Sequence, residues 1–213
     1  MRNQFIIILT FIFIISGCKK ELGVYPLNEM KNENPYTGDE TLKYLSNNFD
    51  TIVFQGNGRY TEEFHSDYYY NHDKYYVNEK DKCSFIDEES NYELYIELTS
   101  RTVSFHQASQ PDARTSYLMN IKFKDRSGNN TNDCRSILSS VGLPIINNQG
   151  KSFFYDSTLV NGKYYYDVVL ISYYLYDGIC TERLKADTIY YCKSSGIIKL
   201  SFSNNITWEL IAN

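Results

Sequence analysis

The chain has 213 residues, with 21 Lys and Arg against 26 Asp and Glu and a formal net charge of −5. That length gives one ordinary domain with enough chain for a full core, and a mildly acidic balance lacks the basic surface a nucleic-acid binder needs. Nucleic acid is set aside as a partner. The 21 Tyr and 12 Phe beside a single Trp point to pleated, half-buried β surfaces, which aromatic residues suit.

In chain order, Phe5 to Ile15 is apolar except for Thr10, and Arg2 is the sole charge before it. A spanning helix needs about 20 apolar residues, so this run is too short to remain as an anchor; a positive start and a short apolar core read as a secretory signal. Ile15-Ser16-Gly17-Cys18 resembles the lipobox of bacterial lipoproteins. The resemblance implies that residues 1–17 are a signal peptide, that the Cys18 thiol receives a diacylglycerol, and that the new amino terminus is acylated. Several acyl chains anchor a protein stably where one holds it marginally. Lys19 and Lys20 are not the acidic residue associated with inner-membrane retention, so the resemblance favours the outer membrane.

Residues 18–38 are polar, carry Pro26 and Pro35, and read as a lipidated tether to a single β-rich domain over 39–213. Thr37-Gly38-Asp39-Glu40 has capping-box spacing, and Leu42, Leu45 and Phe49 follow at helical intervals, which predicts a short helix over about 39–48. Gly56-Asn57-Gly58 lacks the third glycine of a dinucleotide fingerprint and reads as a hairpin turn. In "EEFHSDYYYNHD", Glu63, His65 and Asp67 fall on one face of a strand and His72 follows. Imidazole and carboxylate at that spacing could hold a divalent ion, although a solvated strand face accounts for the same pattern and H-E-x-x-H is absent.

Over 92–106 the apolar phase changes near Ser100, which predicts two strands with a bulge or turn between them. Tyr117, Met119, Ile121 and Phe123 alternate with Asn120, Lys122 and Lys124, a sheet with one wet face. Asp125 to Asp133 is oxygen-rich, but an EF-hand would need Glu at its twelfth position, where Ser136 stands. A second helix is predicted over 133–141, with Cys134, Ile137, Leu138 and Val141 on one face and Gly142 and Pro144 as the stop.

From Asn161-Gly162 onwards, four strands are expected as a meander. Its last hairpin is predicted to have a three-residue loop, Ser203 to Asn205, pairing Leu200 with Trp208 and Lys199 with Glu209, because the two-residue alternative mixes polar and apolar residues on both faces. The pattern N-G-K-x-Y-x-D-V, then I-Y-Y-x-K-x-x-G-I-I-K and W-E-L, resembles the closing segment of uncharacterised exported lipoproteins of the Bacteroidota type. That resemblance covers about the last quarter of the chain and implies no catalytic residue.

With Cys18 assigned to lipid, Cys83, Cys134, Cys180 and Cys192 allow two disulfides. Cys180 with Cys192 would close a short loop and leave Cys83 with Cys134; the alternative is buried free thiols. Asp50-Thr51, Asp156-Ser157 and Asp187-Thr188 resemble O-glycosylation acceptors of the same bacteria, marking Thr51, Ser157 and Thr188. Neither a G-x-S-x-G elbow nor a triad is present, and no cofactor is indicated. The expected fold is mainly β, an antiparallel curved sheet or sandwich with two short helices. The expected protein is a non-enzymatic outer-membrane lipoprotein with an envelope binding or assembly role, partnered by the membrane and by a glycan or an envelope protein. The alternatives are a surface glycan-binding lipoprotein using exposed tyrosines, and a metal-dependent enzyme around Glu63, His65, Asp67 and His72.

Overall fold

The computed structural model describes residues 19–68, 71–89, 91–103, 114–126, 134–142, 153–172, 175–177 and 184–212. Its strands are β1 (Lys20–Tyr25), β2 (Thr41–Ser46), β3 (Thr51–Tyr68), β4 (Asn71–Asp87), β5 (Tyr92–Val103), β6 (Arg114–Asp125), β7 (Cys134–Gly142), β8 (Phe153–Val160), β9 (Lys163–Ser172), β10 (Leu175–Asp177), β11 (Ala186–Cys192), β12 (Gly196–Phe202) and β13 (Thr207–Leu210). They form one sheet in the order β10-β7-β6-β5-β4-β3-β2-β13-β12-β11-β9-β8, with β1 added in parallel beside β4 and every other pairing antiparallel.

The sheet is not closed, yet it curls until β7 comes into contact with β9 and β11. Curling gives the apolar face of each half something to bury against. Phe54, Phe85, Ile96, Ile121 and Phe123 from one half join Ile189, Leu200, Phe202 and Trp208 from the other in one core.

Alternation in β6 is as expected: Met119, Ile121 and Phe123 are buried while Asn120, Lys122 and Lys124 are half-exposed. The final hairpin also has the expected register, with Lys199 opposite Glu209 and Leu200 opposite Trp208, Phe202 N–H bonded to the Ile206 carbonyl at 2.9 Å, and Asn205 at φ 64°. Asparagine tolerates this left-handed position better than most residues.

Neither expected helix forms. Residues 41–46 are strand β2, with Leu42 and Tyr44 buried and Lys43 exposed between them. The Thr37–Glu40 spacing still makes half of its box, since the Glu40 carboxylate accepts the Thr37 and Gly38 N–H groups. Here those bonds close a turn that feeds a strand. Residues 134–142 are strand β7, antiparallel to β6; without it, β6 would present a long open edge.

Two further expectations change. β5 is continuous through Ser100 and pairs with β6 without a register shift; the change at Ser100 is that β4 leaves β5 after Thr99 and takes β1 as its neighbour. Gly56-Asn57-Gly58 is a bulge inside β3, not a hairpin. The bulge receives the 37–40 turn so closely that a Cβ on Gly56 would lie 2.3 Å from the Gly38 carbonyl oxygen. Glycine is required there by backbone contact.

Candidate functional site

The segment read as a tether is built into the fold. β1 pairs with β4, a short 3-10 helix follows over Asn28–Glu33, and Leu27 and Tyr36 enter the main core. Both halves of the sheet hold it. On one side, the Glu79 carboxylate accepts the Leu27 N–H at 2.7 Å and Lys31 Nζ at 2.6 Å, and Ser100 Oγ donates to the Tyr25 carbonyl at 2.5 Å. Burial alone would push the Glu79 carboxyl up, but the Lys31 and Leu27 bonds hold it below the ordinary carboxylate value.

Arg59 forms the centre of this latch. Its Nε and Nη2 bind the Asp81 carboxylate at 2.7–3.0 Å, and its other N–H groups reach the carbonyls of Lys31 at 2.9 Å, Asn34 at 3.3 Å and Tyr36 at 2.5 Å. From the opposite half, Tyr191 OH donates to the Glu33 carbonyl at 2.5 Å and Ile197 N–H donates to Tyr36 Oη at 2.7 Å. Burial raises the pKa of the Tyr36, Tyr44 and Tyr191 hydroxyls, which therefore stay protonated. Composition could not show this latch, because backbone carbonyls are its main acceptors and every residue carries one.

Of the metal candidates, Glu63 and His65 are exposed on β3, and the His65 ring lies against Tyr75 with centroids 4.4 Å apart. Asp67 and His72 lie in β3 and β4, but their side chains are outside the described residues. Among the described residues, no group of three His, Cys, Asp or Glu is placed to hold a metal ion. The oxygen-rich stretch falls mostly outside them too; its first residue, Asp125, is buried and accepts the Leu184 N–H at 2.7 Å. Thr51 and Ser157 are exposed and Thr188 is half-buried. Cys18 lies outside the described residues, and Lys19 is the first residue within them.

Cys83 and Cys192 are buried free thiols. Cys83 sits on β4, and β5 and β6 separate it from Cys134 on β7. Three strand spacings of about 4.8 Å exceed the Cα separation a disulfide spans, about 7 Å at most. Cys180 lies outside the described residues. Burial pushes the Cys83 thiol up to about 12, so little thiolate exists at neutral pH. Iodoacetamide is expected to leave Cys83 unlabelled in the folded protein and to label it in denaturant; rapid labelling under native conditions would show that β4 is open to solvent.

Two surfaces offer binding chemistry. The first is an open cleft of about 410 Å³ at the Thr51 end of β3. Trp208, Tyr92 and Ile206 line it beside Asp50, Asp87, Glu88 and Glu89, and among the described residues no Lys or Arg does. Its negative character registers on Tyr92, whose pKa is raised by burial first and then by the charges of Asp125, Asp87 and Glu89.

The second is the β8–β9 hairpin. Asn161 at φ 44° and Gly162 at φ 79° make the two-residue turn that such a pair favours. Its inner side carries Val160 and Tyr165 onto Val168, Cys192 and Ile198 in a separate small core. Cys192 and Ile198 alternate with Tyr191 and Ile197 of the main core, so the hairpin covers the outer face of β11 and β12. Asn161 N–H fastens its tip to Glu209 Oε2 at 3.1 Å, and Lys199 Nζ holds Glu209 Oε1 at 2.7 Å.

The outer side of this flap is aromatic. Leu159 stands directly opposite Tyr164, and Ser157 opposite Tyr166; directly opposed residues share a face. Leu159, Tyr164 and Tyr166 are 54%, 60% and 67% exposed, and β8 ends the strand order. Exposed aromatic side chains grouped on one face mark a contact surface more often than scattered ones. The clusters at Tyr164 to Tyr166 and at Tyr190 and Tyr191 were legible in the sequence, but not the division into buried Tyr165 and Tyr191 and exposed Tyr164 and Tyr166. No protein-family model, curated protein or solved structure matches this chain.

Proposed function

We propose that the chain is an outer-membrane lipoprotein, anchored through Cys18, with a non-enzymatic binding or assembly role in the cell envelope. The observation that carries this reading is the exposed aromatic face of the β8–β9 hairpin, formed by Leu159, Tyr164 and Tyr166 on an edge of the sheet. The lipobox at Ile15 to Cys18 supplies the anchor, and the open acidic cleft supplies a second contact surface. Replacing Cys18 by Ala should abolish lipid labelling and release the protein from membranes; unchanged membrane association would remove the lipoprotein reading.

Glycan binding is the specific form that the flap favours. Tyr164 and Tyr166 lie two residues apart on one strand face, about 7 Å along the strand, and flat aromatic rings present an apolar face with a polar hydroxyl at the tip. Removing both rings, each worth about 1 kcal/mol of contact, should weaken retention on isolated envelope polysaccharide by about thirtyfold. The Tyr164→Ala/Tyr166→Ala variant should keep its thermal stability, because both side chains are exposed. Equal retention would leave an envelope protein as the partner.

A further inference from the structure

The latch changes what a lipid on Cys18 would do. A free tether would let the domain float away from the bilayer, but only Lys19 separates Cys18 from the first residue of β1. Two Cα steps span at most about 8 Å, comparable with the roughly 5–8 Å thickness of each interfacial layer. β1 is fixed in turn to β4, with Lys20 opposite Lys74, Val24 opposite Val77 and Tyr25 opposite Asn78, and the segment after it is held by Glu79, Ser100 and Arg59. A lipid on Cys18 would therefore be held close to the sheet.

What β1 presents also departs from an ordinary water-facing edge strand. Leu22 is 37% and Val24 54% exposed, although both are large and apolar. Lys19 and Lys20 are exposed beside them. Lys20 and Lys74 sit directly across the β1–β4 ladder, where like charges repel in water and lipid phosphates would offset the repulsion.

We propose that β1 rests against the surface of the bilayer that holds Cys18, with Leu22 in the interfacial layer and the lysines at the level of the lipid phosphates. This inference rests on the reading of Cys18 as lipidated. It gives the domain a fixed orientation on the membrane in place of free rotation on a leash. The acidic cleft lies at the Thr51 end of β3, the opposite end from the part of β4 that pairs with β1.

The test uses the full lipidated protein carrying Leu22→Trp, reconstituted into phosphatidylethanolamine and phosphatidylglycerol vesicles with and without brominated acyl chains. Native Trp208, buried beside the cleft, is the internal reference. The expected result is a blue-shifted component, present only in the Leu22→Trp protein, that brominated lipid quenches while Trp208 emission is unchanged. A water-like, unquenched signal from the introduced indole, in protein that still floats with vesicles, would overturn the membrane-resting orientation and leave the anchor intact. Protein that fails to float, as the Cys18→Ala control must, would overturn the anchor reading and this inference with it.

Discussion

Replacing Arg59 by Met is expected to destabilise the protein by about 3–5 kcal/mol, the range found when one partner of a buried ion pair is removed. The Asp81 side chain is 2% exposed and that of Arg59 22%, so solvent cannot take over the lost contacts. The substitution leaves a buried carboxylate without its guanidinium and also removes the donors to Lys31, Asn34 and Tyr36. Chemical denaturation at neutral pH checks the magnitude. A double variant that also replaces Asp81 by Leu should recover part of the loss, because the uncompensated charge is gone. If Arg59→Met unfolds at the wild-type midpoint, the latch is not held by this residue.

Trp208→Ala is expected to cost a similar amount, about 3–5 kcal/mol, the usual range for removing a buried aromatic. Trp208 is 3% exposed. Its ring centroid lies 4.6 Å from that of Phe202, 5.1 Å from Tyr92, 5.6 Å from Phe123 and 6.1 Å from Phe54. These partners belong to β12, β5, β6 and β3, so one side chain joins both halves of the curled sheet. Thermal unfolding of the variant tests this, and Trp208→Phe should fall between the two because it keeps part of the volume. An unchanged melting temperature for Trp208→Ala would mean that the last hairpin does not present this ring to the core.

The contrast between these residues shows what the sequence could reveal. Trp208 was legible because a one-residue slip would turn Leu200 and Trp208 to the outer face, so local patterning fixes the hairpin. β6 was legible for the same reason. The two helices were misread because a few apolar residues at helical spacing also fit strands whose partners lie elsewhere: β2 is completed by β3 and β13, and β7 by β6 and β10. Tertiary pairing outweighs so short a local signal. Arg59 gave no signal at all, since its carbonyl acceptors lie 23 to 28 residues away and have no side-chain signature.

The candidate surfaces divide similarly. The abundance of Tyr and Phe announced an aromatic sheet, and Asn161-Gly162 marked the start of the closing strands, the second strand of the β8–β9 hairpin among them. That this hairpin folds over β11 and β12, burying Tyr165 and exposing Tyr164 and Tyr166, depends on contacts with Cys192, Ile198 and Glu209. The acidic cleft assembles residues from the 47–50, 88–91 and 203–206 connections and their flanking strands. Non-local curvature brings these together.

Hydrogen exchange of residues 20–36, followed by mass spectrometry on the Cys18→Ala protein, tests most directly whether the amino-terminal segment is part of the fold. Protection of the β1 and Leu27 amides is predicted, at a level approaching that of β4, because these groups are paired with β4 and with the Glu79 carboxylate. Exchange of the whole segment at the rate of an unfolded peptide would contradict the latch and return residues 20–36 to the role of a free tether.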